Sequence, residues 1–214
     1  MTIARPALDE HAPYALTYIN ATADALAALG TDDVLQLLEV QREQWRTLLA
    51  GVPESQGAFS YAPGKWTLAE SLVHVSDTER VFSYRLLRIA RGDRTPLPGF
   101  EQDDWVPQSR STRRTLSDIL TEMLACREAT LALVRSLDEE AIGQRGIASG
   151  VEVSARALVW MLAGHMAHHI TLTRERYVRC GAVYHGGARR PPATHAPPRG
   201  PLRCRCIAGP NTRS

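Results

Sequence analysis

The chain has 214 residues, 44% of them hydrophobic, which is enough for one well-cored domain and too short for two of ordinary size. Its formal charge of +2 is uneven: residues 178–214 hold seven Arg and no Asp or Glu, leaving residues 1–177 with 18 basic and 23 acidic side chains, a net of −5. A mildly acidic body argues against a nucleic-acid surface built into the fold, and no run reaches the roughly 18 apolar residues of a membrane span.

The opening residues lack the charged and then apolar pattern of a signal peptide. Of the four cysteines, only Cys126 falls in the body, with Cys180, Cys204 and Cys206 at its edge or in the tail. A disulfide framework needs paired cysteines within the domain, so the expectation is a soluble cytoplasmic protein.

Residues 1–20, with Pro6, Pro13, Tyr14 and Tyr18, read as an irregular lead that packs its tyrosines on the body. The first predicted helix begins at Thr31, the expected N-cap, and ends before Gly51 and Pro53; Val34, Leu37, Leu38, Gln41, Trp45, Leu48 and Leu49 follow the i, i+3, i+4, i+7 pattern. The second opens on Thr67-Leu-Ala-Glu70, a capping box in which hydroxyl and carboxylate serve free backbone donors reciprocally, and runs to about Arg91 before Gly92. Leu68, Ser71, Leu72, Val75, Thr78, Phe82, Leu86 and Ile89 form its core stripe, and His74 adjoins it.

Residues 93–110 contain three prolines and a glycine, which predicts a long crossing loop. Loops this long are uncommon unless they cover something. Phe100 and Trp105 are expected to anchor it over one end of the bundle, and Glu101, Asp103 and Asp104 are candidates for shaping a pocket mouth. A third helix starts near Thr115, where Thr-Leu-Ser-Asp118 resembles a capping box, and extends through Ile119, Leu120, Met123, Leu124, Arg127, Leu131 and Val134. A short helical turn over 136–143 and a hairpin-like excursion over 146–153, turning at Ser149-Gly150, precede a fourth helix capped by Ser154 and running to Tyr177. Beyond it, residues 178–214 are rich in Pro, Gly and Arg and are expected to be disordered, because they cannot bury enough apolar surface to offset ordering entropy. Cys204-Arg-Cys206 with His185 and His195 matches no established zinc module.

The chemistry concentrates in Ala163-Gly-His-Met-Ala-His-His169. His165 and His169, at i and i+4, share a helical face and can share one metal ion. His168, at i+3, competes for the same description, and helical geometry alone leaves both pairs open. Two ligands rarely hold a divalent transition metal, so a third is expected, and His74 on the second helix is the best candidate. The competing reading is of core or cap histidines. No glycine-rich phosphate loop, G-x-S-x-G elbow, H-E-x-x-H motif or internal repeat occurs.

Tyr61-Ala-Pro-Gly-Lys-Trp-Thr-Leu-Ala-Glu-Ser-Leu-Val-His74, Asp77-Thr-Glu-Arg80, residues 88–100 and Gly164-His-Met-Ala-His-His-Ile-Thr-Leu-Thr-Arg-Glu-Arg-Tyr177 together resemble the DinB-like (DinB/YfiT) superfamily. The resemblance covers about residues 8–177 and implies an all-α, up-down-down-up four-helix bundle over 1–177, followed by the tail. It further implies a divalent metal (Zn, Ni or Fe) held by His74, His165 and His169, which settles the ambiguity over His168. Activities across such a family range over thiol transfer or thiol-dependent isomerisation, metal-dependent hydrolysis and stress response. The expected partner is a small-molecule substrate, with a low-molecular-weight thiol among the candidates, in a chain that forms a homodimer or stands alone and binds neither membrane nor specific nucleic acid. Asp77 and Glu79 are candidates to orient a ligand or act as a base, with Asp77 preferred; the competing readings are a surface pair of Asp77 with Arg80 and a solvated Glu79. The chief rival to an enzyme is a non-catalytic metal-binding stress-response bundle.

Overall fold

Most long helices of this chain begin where a polar side chain can serve the free N–H groups of the first turn. In the computed structural model, which describes residues 2–178, α2 (Val34–Leu49) is capped by Asp33, whose carboxylate accepts from the Leu35 N–H at 2.9 Å. The cap is thus two residues later than expected; Thr31 instead accepts from the Asp33 N–H. At α3 (Leu68–Ala90) the capping box forms in full, with Glu70 accepting from the Thr67 N–H at 2.7 Å and Thr67 accepting from the Glu70 N–H at 3.2 Å. Thr115 caps α5 (Leu116–Arg135) and Ser154 caps α7 (Ala155–Leu172), which continues as a π-helical stretch over Thr173–Val178. The expected tail from 179 onward lies outside the described residues.

Two expectations need correction. The lead is not irregular to Asn20: two short 3-10 turns give way to a helix, α1 (Leu16–Leu29), which buries Tyr18, Ile19, Thr22 and Leu26 and ends at Gly30 in the left-handed region. The crossing segment contains a short helix, α4 (Gln102–Gln108), that buries Gln102 and Val106. Phe100 is buried against Trp105 at 4.9 Å between ring centres, but Trp105 itself is 45% exposed, and Glu101, Asp103 and Asp104 face solvent.

The bundle proper is α2, α3, α5 and α7. Both α2 and α3 pack on α5 and on α7. One apolar cluster gathers Leu37 and Leu38 of α2, Phe82 and Leu86 of α3, Leu131 and Val134 of α5, and Leu158 and Leu162 of α7. A second gathers Trp45 and Leu49, Leu68 and Leu72, Ile119 and Met123, and Met166 and Ile170 from the same four helices. Chain order runs from the first cluster to the second in α2 and α7 and from the second to the first in α3 and α5, so the helices run up, down, down, up.

Between the clusters lies a polar layer. Arg127 of α5, 1% exposed, donates Nε and Nη2 to the two carboxylate oxygens of Glu79 on α3, both at 2.8 Å. Its Nη1 donates to Gln41 Oε1 of α2 at 2.9 Å, and longer contacts of 3.4 Å reach the Leu38 and Leu162 carbonyls. Gln41 in turn donates to the Ala163 carbonyl at 2.8 Å. Glu79, 4% exposed, is therefore not a solvated helix acid.

Alongside the bundle, α1 lies against α7. The approach is close because Gly164 has no side chain: a Cβ there would stand 1.9 Å from the Tyr18 carbonyl oxygen. Thr22 donates to the Trp160 carbonyl at 2.7 Å across the same contact. Between α6 (Glu139–Gly143) and α7, strands β1 (Arg145–Ala148) and β2 (Val151–Ser154) pair antiparallel. Ser149 and Gly150, both at positive φ, make the two-residue turn that matches strand twist. Leu97 of the crossing segment bonds to this hairpin through Ile147 and Ser149.

Removing Arg127 strands a carboxylate in the core. Arg127→Met is expected to cost about 3–5 kcal/mol in urea-induced unfolding, and adding Glu79→Met is expected to recover most of that loss, since an apolar pair of similar volume replaces a buried ion pair well. Gly164→Ala is expected to cost about 1–3 kcal/mol by the same assay, because α1 must move as a backbone unit to admit the methyl group.

Candidate metal centre

The capping box sets the phase of α3, and Ser154 sets that of α7; in consequence His74 and the His165/His169 pair meet between these two helices. All three are buried, at 2%, 3% and 1% exposure, and offer ring nitrogens within 4.8 Å of one another. His74 Nε2 and His165 Nε2 face each other at 3.2 Å, and the ring centres of His165 and His169 are 4.5 Å apart. A tetrahedral ion about 2.0–2.1 Å from two imidazole nitrogens separates them by about 3.3–3.4 Å. The observed spacing fits that geometry, and it also fits a single N–H···N hydrogen bond.

The surroundings position the rings. Ser71 Oγ lies 3.5 Å from His169 Nδ1, and Thr78 Oγ1 the same distance from the His74 ring. Trp66 packs its ring 4.8 Å from that of His74, Phe82 lies 6.0 Å from His165, and Tyr18 of α1 stands edge-on to His165 at 5.4 Å. His168 is half-buried at the margin, against Tyr18 and His169. The structure thus brings His165 and His169, not His168, into the group of three with His74.

Asp77 and Glu79 part company. Glu79 belongs to the polar layer with Arg127. Asp77 pairs with Arg80 at 3.7 Å, at a charged rim where Arg80 and Arg114 also meet Glu122. Burial pushes the Asp77 carboxyl above its ordinary range, with Arg80 opposing and Glu122 reinforcing the shift. On the same rim burial raises the Cys126 thiol.

Sequence periodicity missed the polar layer and the aromatic wall. The signal for the first was present: Gln41 and Arg127 both fall on otherwise apolar helical stripes.

The family model described as the DinB superfamily matches residues 36–172, a span that runs from α2 to the end of α7.

The chain belongs to the DinB superfamily.

No curated protein matches it significantly. Among solved structures, YfiT from Bacillus subtilis, described as a probable metal-dependent hydrolase with an unusual four-helix bundle topology, superposes with a TM-score of 0.63 at 19% identity, covering 69% of this chain and 86% of that one. A mycothiol-dependent maleylpyruvate isomerase superposes with a TM-score of 0.54 at 15% identity, covering 67% of this chain and 59% of that one. The DinB chain therefore spans about three fifths of the isomerase's length. At these identities the likeness is one of fold. Among the described residues no helix is long and apolar enough to cross a membrane.

The raised Asp77 carboxyl has a pH signature. Its neutral form is favoured in the fold, so the contribution of Asp77 to stability is fully present below the unfolded pKa near 3.8 and is lost as pH rises through the folded value. Asp77→Asn is expected to match wild type in melting temperature at the acid end of that window and to exceed it at neutral pH. Parallel melting curves across pH check this.

Proposed function

We propose that this DinB superfamily member is a metal-dependent enzyme acting on a small molecule, with one divalent ion (Zn, Ni or Fe) held by His74, His165 and His169. The observation that carries the reading is the convergence of three buried imidazoles from two helices onto one point. Neutral imidazole nitrogens are common ligands for such ions, and three of them leave a position open to water or substrate. The ion, when bound, supplies Lewis acidity that turns water or a thiol into a nucleophile near neutral pH.

The chain's own residues do the rest. Ser71 Oγ lies 3.5 Å from His169 Nδ1, and a hydrogen bond there would leave His169 Nε2 as the nitrogen to hold an ion. Trp66 and Phe82 exclude bulk water from the faces of His74 and His165, which strengthens electrostatic interactions at the site. Asp77, with its pKa raised by burial and three residues along α3 from His74, is the proposed base or ligand-orienting acid.

Two reaction types follow from the reading. Hydrolysis is supported by the description of YfiT, and chemistry on a thiol-bearing substrate by that of the mycothiol-dependent isomerase. A second reading, a closed and non-catalytic metal site in a stress-response bundle, is favoured by one observation: the three histidines are at most 3% exposed. Cytoplasmic placement and a homodimer remain part of the proposal.

Purified full-length protein is expected to carry one divalent ion per chain, retained in Cys204→Ser/Cys206→Ser and lost in His74→Ala and in His165→Ala. Failure of the parent to bind Zn, Ni or Fe ends the metal reading. Given a bound ion, cobalt-substituted protein separates the two functions: a spectrum shifted by an added small thiol or azide marks an open catalytic site, and an inert spectrum marks a closed one.

A further inference from the structure

His74, His165 and His169 are at most 3% exposed, so a reaction there needs a way in. Among the described residues, four further rings stand against them: Trp66, Tyr18, Phe82 and His168. Tyr18 and Phe82 are buried, at 3% and 0% exposure, whereas Trp66 and His168 are half-buried. An entering ion or small molecule thus meets either the indole of Trp66, tilted over His74 at 4.8 Å, or the His168 ring, edge-on to His169 at 5.1 Å.

The backbone separates these two. His168 is fixed within α7, where moving the ring's anchor means breaking helical hydrogen bonds. Trp66 stands in an irregular segment, 59–67, between the 3-10 turn Glu54–Ala58 and α3. The Leu68 N–H donates to the Phe59 carbonyl at 3.0 Å and closes the base of this loop. Inside it, Ser60 Oγ lies 2.8 Å from both the Ala62 and the Lys65 carbonyl oxygens, and Gly64 turns the chain at φ +72° with open space around it. These bonds hold the loop together without tying it to the bundle, so it can move as one body.

Tyr177, 1% exposed at the end of α7, supplies the tie. Its hydroxyl donates to the Trp66 carbonyl at 2.8 Å, and its ring stands edge-on to Tyr61 at 5.2 Å and to Phe59 at 6.4 Å. Burial, reinforced by Tyr61 and opposed by Ser71, raises the phenol above its ordinary range, so the donated proton stays on at neutral pH. We propose that Trp66 is the gate of the histidine site and Tyr177 its latch: the loop 60–66 pivots on its closed base, the indole leaves His74, and an ion or small substrate passes. The metal reading above supplies what passes; the movement stands on the loop's own contacts.

The test reads access in two ways on the full-length protein. In the metal-free form, diethyl pyrocarbonate acylates imidazole nitrogens, and peptide mass spectrometry follows His74 separately. Trp66→Ala is expected to speed acylation of His74 about tenfold and Tyr177→Phe, which keeps the rings in place, about 2–10-fold. Trp66→Phe is expected to stay close to wild type. In zinc-loaded protein, release to a chelator and uptake are expected to quicken together in the same two variants with Kd unchanged, because a gate alters rates and leaves the ligand set intact. Wild-type acylation rates in both Trp66→Ala and Tyr177→Phe, or acceleration in His168→Ala instead, would overturn the gate. A parent that takes up no zinc while His74 acylation still responds to Trp66→Ala ends the metal reading alone and leaves the gate standing.

Discussion

One guanidinium, that of Arg127, ties the four bundle helices together. It stands in the middle of α5, spends all five N–H groups on Glu79 of α3, on Gln41 and the Leu38 carbonyl of α2, and on the Leu162 carbonyl of α7, and it excludes water from the layer between the two apolar clusters. Such a pair adds little net stability over an apolar replacement of equal size. Its effect is on register: sliding any helix by one turn would strand a buried charge or carbonyl, which an all-aliphatic core would not punish so specifically. The layer also lies beside the histidines, for Leu162 and Ala163 precede His165 by three and two residues, and Glu79 follows His74 by five. The register that satisfies Arg127 is the one that brings the three imidazoles together.

The wall of the site depends on a second constraint, the missing side chain at Gly164. It lets α1 approach until the Tyr18 carbonyl occupies the place of a Cβ, and so brings the Tyr18 ring against His165 and His168. On the other side Trp66, just before the capping box of α3, covers His74, and the π-helical end of α7 returns Tyr177 so that its hydroxyl donates to the Trp66 carbonyl at 2.8 Å. Ordinary helix caps and one glycine thus position both the three histidine rings and the aromatic side chains that shield them.

Much of this was legible in the sequence because it is local. Thr67, Thr115 and Ser154 cap the helices they were expected to cap, the Ser149-Gly150 turn makes its hairpin, and an i, i+4 histidine pair shares a face wherever the helix forms. What escaped is what depends on distant partners. Periodicity treats Glu79 as a solvent-facing acid because its partner is 48 residues away in sequence, and it tolerates Gln41 and Arg127 on apolar stripes without saying why they are there. The helix α1 escaped for a different reason. It has no side-chain cap, starts after Pro13 and carries five alanines among its 14 residues, so its burial is decided by packing on α7 more than by its own pattern. Asp77 makes the ion pair with Arg80 that their i, i+3 spacing allows.

The central question is whether three histidines from α3 and α7 form one ligand set. X-ray absorption spectroscopy of the zinc-loaded full-length protein tests this most directly, since it reports ligand atom type and distance irrespective of activity. Three imidazole nitrogens at about 2.0–2.1 Å are expected, with any further ligand a light atom. A scattering shell at about 2.3 Å, the distance of cysteine sulfur, would place the metal on the cysteines instead and contradict that ligand set.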